Sequence, residues 1–160
     1  MDIRFMENDN VQMDGVRICY RNFSGTGSKF NNAGDRNFAI VIEDQAVADA
    51  LIEAGWNVKI KAPREDGDTP FMVLPVKIKF NARGPAVYLK SGGAMNRLDE
   101  ESINILDEIE IANVDLDIRP YNWEVRGETG RTAYLQAICV TQYISDRFGG
   151  SHVGFGGDEE

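Results

Sequence analysis

Two stretches near the end of the chain, residues 113–125 and 131–143, flank the short segment Arg126–Gly130 (RGETG). Side chains of a strand point alternately to opposite faces, so a half-buried strand alternates apolar and polar residues. Val114, Leu116 and Ile118 alternate in this way with Asn113, Asp115 and Asp117. Two such strands around a glycine-containing turn form a long hairpin. A hairpin is not stable alone and needs further strands to cover its apolar face, so the chain must build a sheet. The apolar parity changes across Pro120, to Tyr121, Trp123 and Val125. That shift predicts a bulge or bend at Pro120, a feature of strongly curved sheets and barrels.

The rest of the chain supplies partners. Residues 16–23 (VRICYRNF) read as a strand with Val16, Ile18 and Tyr20 on one face and Arg17, Cys19 and Arg21 on the other. A loop rich in Gly, Ser and Asn follows, Ser24 to Gly34. Residues 37–43 (NFAIVIE) are a near-continuous apolar run, hence a buried strand. Asp44 can cap a short helix over about 45–54, with Val47, Ala50, Leu51 and Ala54 at helical spacing and Gly55 as its stop. Residues 56–61, 71–80 and 86–90 give three more strands, the first two separated by the turn-forming APREDGDTP. Pro75 places its strand at an edge or a bulge. Asp99 can cap a second short helix that turns Ile103, Leu106 and Ile109 to the core. Seven or so strands with two short helices, mostly hairpin-connected, predict a mainly β, small antiparallel barrel. The OB-fold, elaborated by extra strands, fits best.

At 160 residues the chain suits one domain, taken as residues 1–147, followed by a flexible acidic tail over 148–160. That tail (FGGSHVGFGGDEE) is glycine-rich and ends in Asp158, Glu159 and Glu160. No apolar run approaches the ~20 residues that span a bilayer. The acidic MDIRFMENDN start does not resemble a secretory signal, which points to a cytoplasmic protein. Cys19 and Cys139 sit in apolar strands and read as buried reduced thiols.

Enzymatic machinery is sparse. The only histidine is His152, in the tail, so neither a triad nor a His-rich metal site can be assembled. GTGSK (25–29) lacks the spacing of a phosphate-binding loop, and Phe30 stands where a magnesium-holding hydroxyl would be needed. Asp115 with Asp117, and Glu108 with Glu110, share strand faces that read as solvated. No cofactor, metal or catalytic residue is expected, and a Mg²⁺-dependent nuclease built on those carboxylates is the minor reading.

The chemistry that is present suits a polyanion. The net charge is −9, but the acidic residues crowd the tail and the 99–110 segment while cations fall largely on strands. Such segregation permits a basic groove on an acidic body. Single-strand binding needs cations along the backbone and flat side chains against bases. Lys59 and Lys61 share a strand face, as do Lys77 and Lys79. If the two strands pair, the four lysines form one stripe. Lys29, Phe30 and Arg36 put an aromatic among cations around the Gly/Asn loop. Tyr121, Trp123, Arg126 and Arg131 cluster around the final hairpin. With Arg21 these are the expected DNA-binding residues.

With those residues in view, the chain resembles the single-stranded DNA-binding proteins of tailed phages over most of residues 20–143. The resemblance is carried by YRNFSG (20–25), GDRNFAI (34–40), GWNVK (55–59), LDEESINILD (98–107) and VDLDIRPYNWEVRGETGRTAYLQ (114–136), in that order and spacing. It implies a non-enzymatic, sequence-tolerant protein that coats single-stranded DNA during replication or recombination in a bacterial host cytoplasm, with a homo-oligomer possible. It also implies that the tail, through Phe155, Asp158, Glu159 and Glu160, recruits phage or host replication and recombination proteins or competes for the groove. The alternative is a phage structural or host-interaction protein that binds another protein through the same barrel.

Overall fold

A computed structural model describes residues 1–63, 67 and 70–145. Among them run nine strands: β1 (Asp2–Phe5), β2 (Val11–Asn22), β3 (Arg36–Ile42), β4 (Lys59–Lys61), β5 (Phe71–Ile78), β6 (Ala86–Ser91), β7 (Ala94–Leu98), β8 (Ile111–Val125) and β9 (Glu128–Gln142). One α-helix, α1 (Gln45–Glu53), lies between β3 and β4.

Five strands close on themselves. β5 pairs with β3, β3 with β2, β2 with β8 and β8 with β9, and β9 returns to β5. The last pairing is parallel and rests on Val76↔Ala133 and Lys77↔Tyr134. In chain order the closed path is first, second, third, fifth, fourth, with third and fifth parallel. This is an OB-type barrel, elaborated by β1, β4, β6 and β7. The expected OB-fold-like barrel is present, its ladders antiparallel except for the β5–β9 return, and outside it β6 also pairs in parallel with β9.

The barrel is filled from alternate positions. Val11 and Met13 on β2, Phe38 and Ile40 on β3, Leu74 and Val76 on β5, and Ile118 and Ile138 on β8 and β9 are all buried. Phe23 stacks on Phe38 with centroids 5.2 Å apart and plugs one end. Gly15 (φ +67) sits where the β2–β8 register shifts, and its amide donates to Asp115 Oδ1 at 2.9 Å. β2 bends there, pairing along one edge first with β1 and then with β3.

Asp44 caps α1 as expected, its Oδ1 accepting from the Ala46 amide at 2.9 Å, and Gly55 follows with φ +92. The second predicted helix is shorter than its pattern suggests. Asp99 accepts from the Glu101 and Ser102 amides, but only a 3-10 turn, Ile103–Asp107, follows. Ile103, Leu106 and Ile109 still face the core. Pro75 lies between Val73, the last residue paired to β4, and Val76, the first paired to β9, so it occupies a locally free edge.

Three further sequence expectations change. The β8–β9 ladder runs without a shift from Ile118↔Leu135 to Val125↔Glu128, so there is no bulge at Pro120. The shift lies one step earlier, at Asp117/Ile118, with Gln136 as the extra residue of β9. Tyr121, Trp123 and Val125 are therefore not a new core face. They are exposed on the outer face of an arm that leaves the barrel. The turn is also tighter than RGETG. It is the pair Arg126 (φ +53) and Gly127 (φ +84), the double left-handed conformation of a two-residue hairpin. Finally, both cysteines are free and half-buried, and burial pushes each thiol pKa up, Lys61 opposing this at Cys19 and Lys90 at Cys139. The expected tail, 148–160, lies outside the described residues.

Candidate nucleic-acid interface

A cleft of about 600 Å³ opens over the outer face of β3 and β5. Its position follows from strand register. Lys59 and Lys61 pair with Val73 and Phe71, so they share a face with Pro75 and Lys77. Lys77 in turn pairs with Asn37 on β3 and with Tyr134 on β9. The conditional lysine stripe is thus realised: Lys59, Lys61, Lys77 and Lys79 all line this cleft, with Arg36. Among its described lining residues these five cations face one carboxylate, Asp35. None of the four lysines is paired with a carboxylate among the described residues. Among its described residues, a protein of net charge −9 has concentrated positive charge at one place.

Two tyrosines that the sequence reading did not assign to the site flank the lysines. In sequence Tyr20 alternates onto one face with Val16 and Ile18. It has φ +52 at the register shift between Cys19 and Asn22, and its ring turns outward, 58% exposed. Lys61 Nζ donates to its hydroxyl at 3.1 Å and lies 4.8 Å from its ring centroid, and Phe71 meets it edge-on at 6.4 Å. Tyr134 lies at the other side of the cleft. Arg119 covers its ring at 5.0 Å and Tyr121 meets it at 6.0 Å. The signal for Tyr134 was present as period-two spacing from Thr132, but its partner strand could not be read.

The β2–β3 loop and the β8–β9 arm flank this surface, the two loops that border the cleft in OB-folds. The loop is held at its base. Asp107 accepts from the Phe23 and Ser24 amides at 2.7 and 2.9 Å and from the Ser24 hydroxyl at 2.7 Å. Arg21 donates to the Leu106 and Ile109 carbonyls at 2.7 and 2.9 Å. Arg36 donates to the Phe23 carbonyl at 2.9 Å and to the Glu100 carbonyl at 3.1 Å. Arg21 therefore positions the loop and does not line the cleft, and Arg36 does both. At the loop's tip Phe30 is 90% exposed, with Lys29 Nζ 5.7 Å from its ring centroid.

On the arm, Arg119, Tyr121 and Trp123 share the face that continues from Tyr134. The Trp123 indole lies across Gly130, where even a methyl group would strike the ring. Arg126 sits in the turn at the arm's end. Arg131 does not join this cluster. It is on the opposite face, donating to Asn122 Oδ1 at 2.8 Å, 3.6 Å from Asp9, with its guanidinium over Trp56. Trp56 itself is core, 3% exposed. The expected tail residues Phe155, Asp158, Glu159 and Glu160 lie outside the described residues.

Comparison with known proteins places this geometry. The structure is similar to the single-stranded DNA-binding protein from bacteriophage Enc34 in complex with ssDNA, with TM-score 0.58 and 16% identity over 90% of this chain and 92% of that one. It is also similar to the C-terminally truncated form of that protein, with TM-score 0.56 and 16% identity over the same shares. At such identity the likeness speaks to the fold. No curated protein sequence matches the chain. Residues 2–147 match the family model described as "Putative phage ssDNA-binding domain", and the chain belongs to that family.

Proposed function

We propose that this chain binds single-stranded DNA without strong sequence preference, in the cleft over β3 and β5, and acts by coating it during phage replication or recombination. The observation that carries this reading is the cleft itself, where four lysines, none ion-paired among the described residues, stand between Tyr20 and Tyr134 on an otherwise acidic protein. Lysines on alternate positions of two paired strands can follow a phosphate backbone. Tyrosine faces can stack on bases of any identity, at ~1–3 kcal/mol each. The exposed Phe30 on the β2–β3 loop and Tyr121 and Trp123 on the arm extend the stacking surface to either side. Nothing in this arrangement requires a reacting group, and the proposed role is binding without catalysis. No helix among the described residues is long and apolar enough to cross a membrane. The bacterial host cytoplasm is the proposed place of action.

A titration of labelled oligo-dT, duplex of the same length and oligo-U at two salt concentrations tests the reading. Single strands should bind preferentially, with a log–log salt slope of about −0.7 per phosphate contact. Equal affinity for duplex, or no binding at low salt, would refute it and favour a barrel that binds protein.

For residues 148–160 the proposal rests on sequence. Asp158, Glu159 and Glu160 carry the sign of phosphate, and an anion tethered to the same chain competes at ~mM effective concentration. Deleting 149–160 should tighten single-strand binding, more at low salt than at high, and abolish recruitment of a replication or recombination partner. Weaker DNA binding after the deletion would show that the tail contributes to the grip.

A further inference from the structure

A second, polar pocket lies beyond Tyr134. Its volume is about 440 Å³, and Arg83, Arg119, Asn8, Asn10, Asn81 and Gln136 line it. No carboxylate is among its described lining residues. Neither arginine is paired with a carboxylate among the described residues, although the chain has 26 acidic residues against 17 Lys and Arg. In such a protein an arginine pair free of carboxylates is a site prepared for an anion from outside.

The pocket adjoins the main cleft at two points. Tyr134 lines the main cleft, and Arg119, stacked on it at 5.0 Å, lines the second pocket. The chain that carries Lys77 and Lys79 into the main cleft runs on to Asn81 and Arg83 in the second. The backbone there is fixed by reciprocal hydrogen bonds between Asn81 and Gly84, 2.8 and 3.1 Å, and by the Arg83 amide donating to Asn81 Oδ1 at 2.8 Å. Arg83 is thus an exposed guanidinium on an ordered turn. The amides of the asparagines and Gln136 are neutral donors and acceptors, suited to phosphate and sugar oxygens.

We propose that the single-stranded DNA track does not end at the barrel cleft but passes over Tyr134 into this pocket, where Arg83 and Arg119 take up backbone phosphates. The proposal rests on the single-strand reading above. It predicts that binding strength depends on oligonucleotide length in a way that these two arginines control. Fluorescein-labelled oligo-dT of about 6 nucleotides can fill the main cleft alone, whereas about 16 can occupy both regions, within the range one OB-fold covers.

The test compares the full chain with its R83Q/R119Q variant on both oligonucleotides across a salt series, with thermal melting as a check on folding. On the long oligonucleotide the variant's salt slope should flatten by about 1.4, two contacts at ~0.7 each. Between 50 and 200 mM salt, wild type should then lose about sevenfold more affinity than the variant. On the short oligonucleotide R83Q alone, which leaves the Arg119–Tyr134 stack intact, should match wild type, and R83K/R119K should restore most of the long-oligonucleotide slope. If the double variant melts early, R83Q alone, at an exposed position, should still flatten the slope by about 0.7. Equal loss by R83Q on both lengths, or no loss on either while wild type binds, overturns the extension and leaves the single-strand reading standing. Failure of wild type to bind either oligonucleotide overturns that reading and the extension with it.

Discussion

Trp56→Ala is expected to lower the free energy of unfolding by ~3–5 kcal/mol, the range for removing a buried aromatic side chain. Trp56 is 3% exposed, and its amide donates to the Leu51 carbonyl at 3.0 Å, locking the exit of α1. Its outer surface is covered by Arg131 at 5.5 Å. Domains of this size are stable by only ~5–15 kcal/mol, so the loss is a large fraction of the total. Trp56→Phe separates size from polarity. Among the described residues the buried indole Nε1 has no acceptor, so phenylalanine removes that donor along with some volume. That variant should lose less than ~1.5 kcal/mol. Urea unfolding followed by circular dichroism measures both, and an alanine variant as stable as wild type would remove Trp56 from the core.

The second large effect belongs to binding. Replacing Lys59, Lys61, Lys77 and Lys79 together with alanine should weaken single-strand affinity roughly 100- to 1,000-fold at 0.1 M salt, counting ~0.7 log unit for each lost phosphate contact. The loss should be the same for every sequence, and the salt slope should flatten by up to about 2.8. All four lysines are exposed, so the melting temperature should move little. Fluorescence anisotropy and a thermal melt decide the matter. A large stability loss with unchanged affinity would assign the lysines to structure.

The lysine stripe was legible because register obeys a period of two. Once 56–61 and 71–80 read as strands, their lysines had to share faces. The capped helix was legible because Asp44 and Gly55 are local signals that need no tertiary partner. β1 and β7 were invisible for the opposite reason: both are short and largely exposed, DIRF alternating over only four residues and AMNRL not at all. Tyr20 was misplaced because its parity was carried straight through an irregularity that nothing in VRICYRNF announces. Pro120 misled in another way. The apolar residues beyond it change face because the arm leaves the core, while the ladder itself continues. Arg21 and Arg131 show a further limit. A guanidinium in a strand looks the same whether it awaits phosphate or is engaged by carbonyls and a neighbouring ring. The parallel return of β9 to β5 was beyond reach, since hydrophobic pattern states which face is buried and not which strand lies alongside.

That return also couples grip to breathing. The barrel is closed by Val76↔Ala133 and Lys77↔Tyr134, the shortest ladder among its five, and three of these four residues, Val76, Lys77 and Tyr134, line the cleft. Local opening follows the least-paired boundaries of a fold. The seam is therefore where amide hydrogen exchange in the barrel should be fastest. A strand of DNA held by Lys77 on one side and stacked on Tyr134 on the other would act as a staple across it, adding RT ln(1 + [L]/Kd) to the cost of opening. The protein would then be most rigid along the line where it holds its ligand, and loosest there when empty.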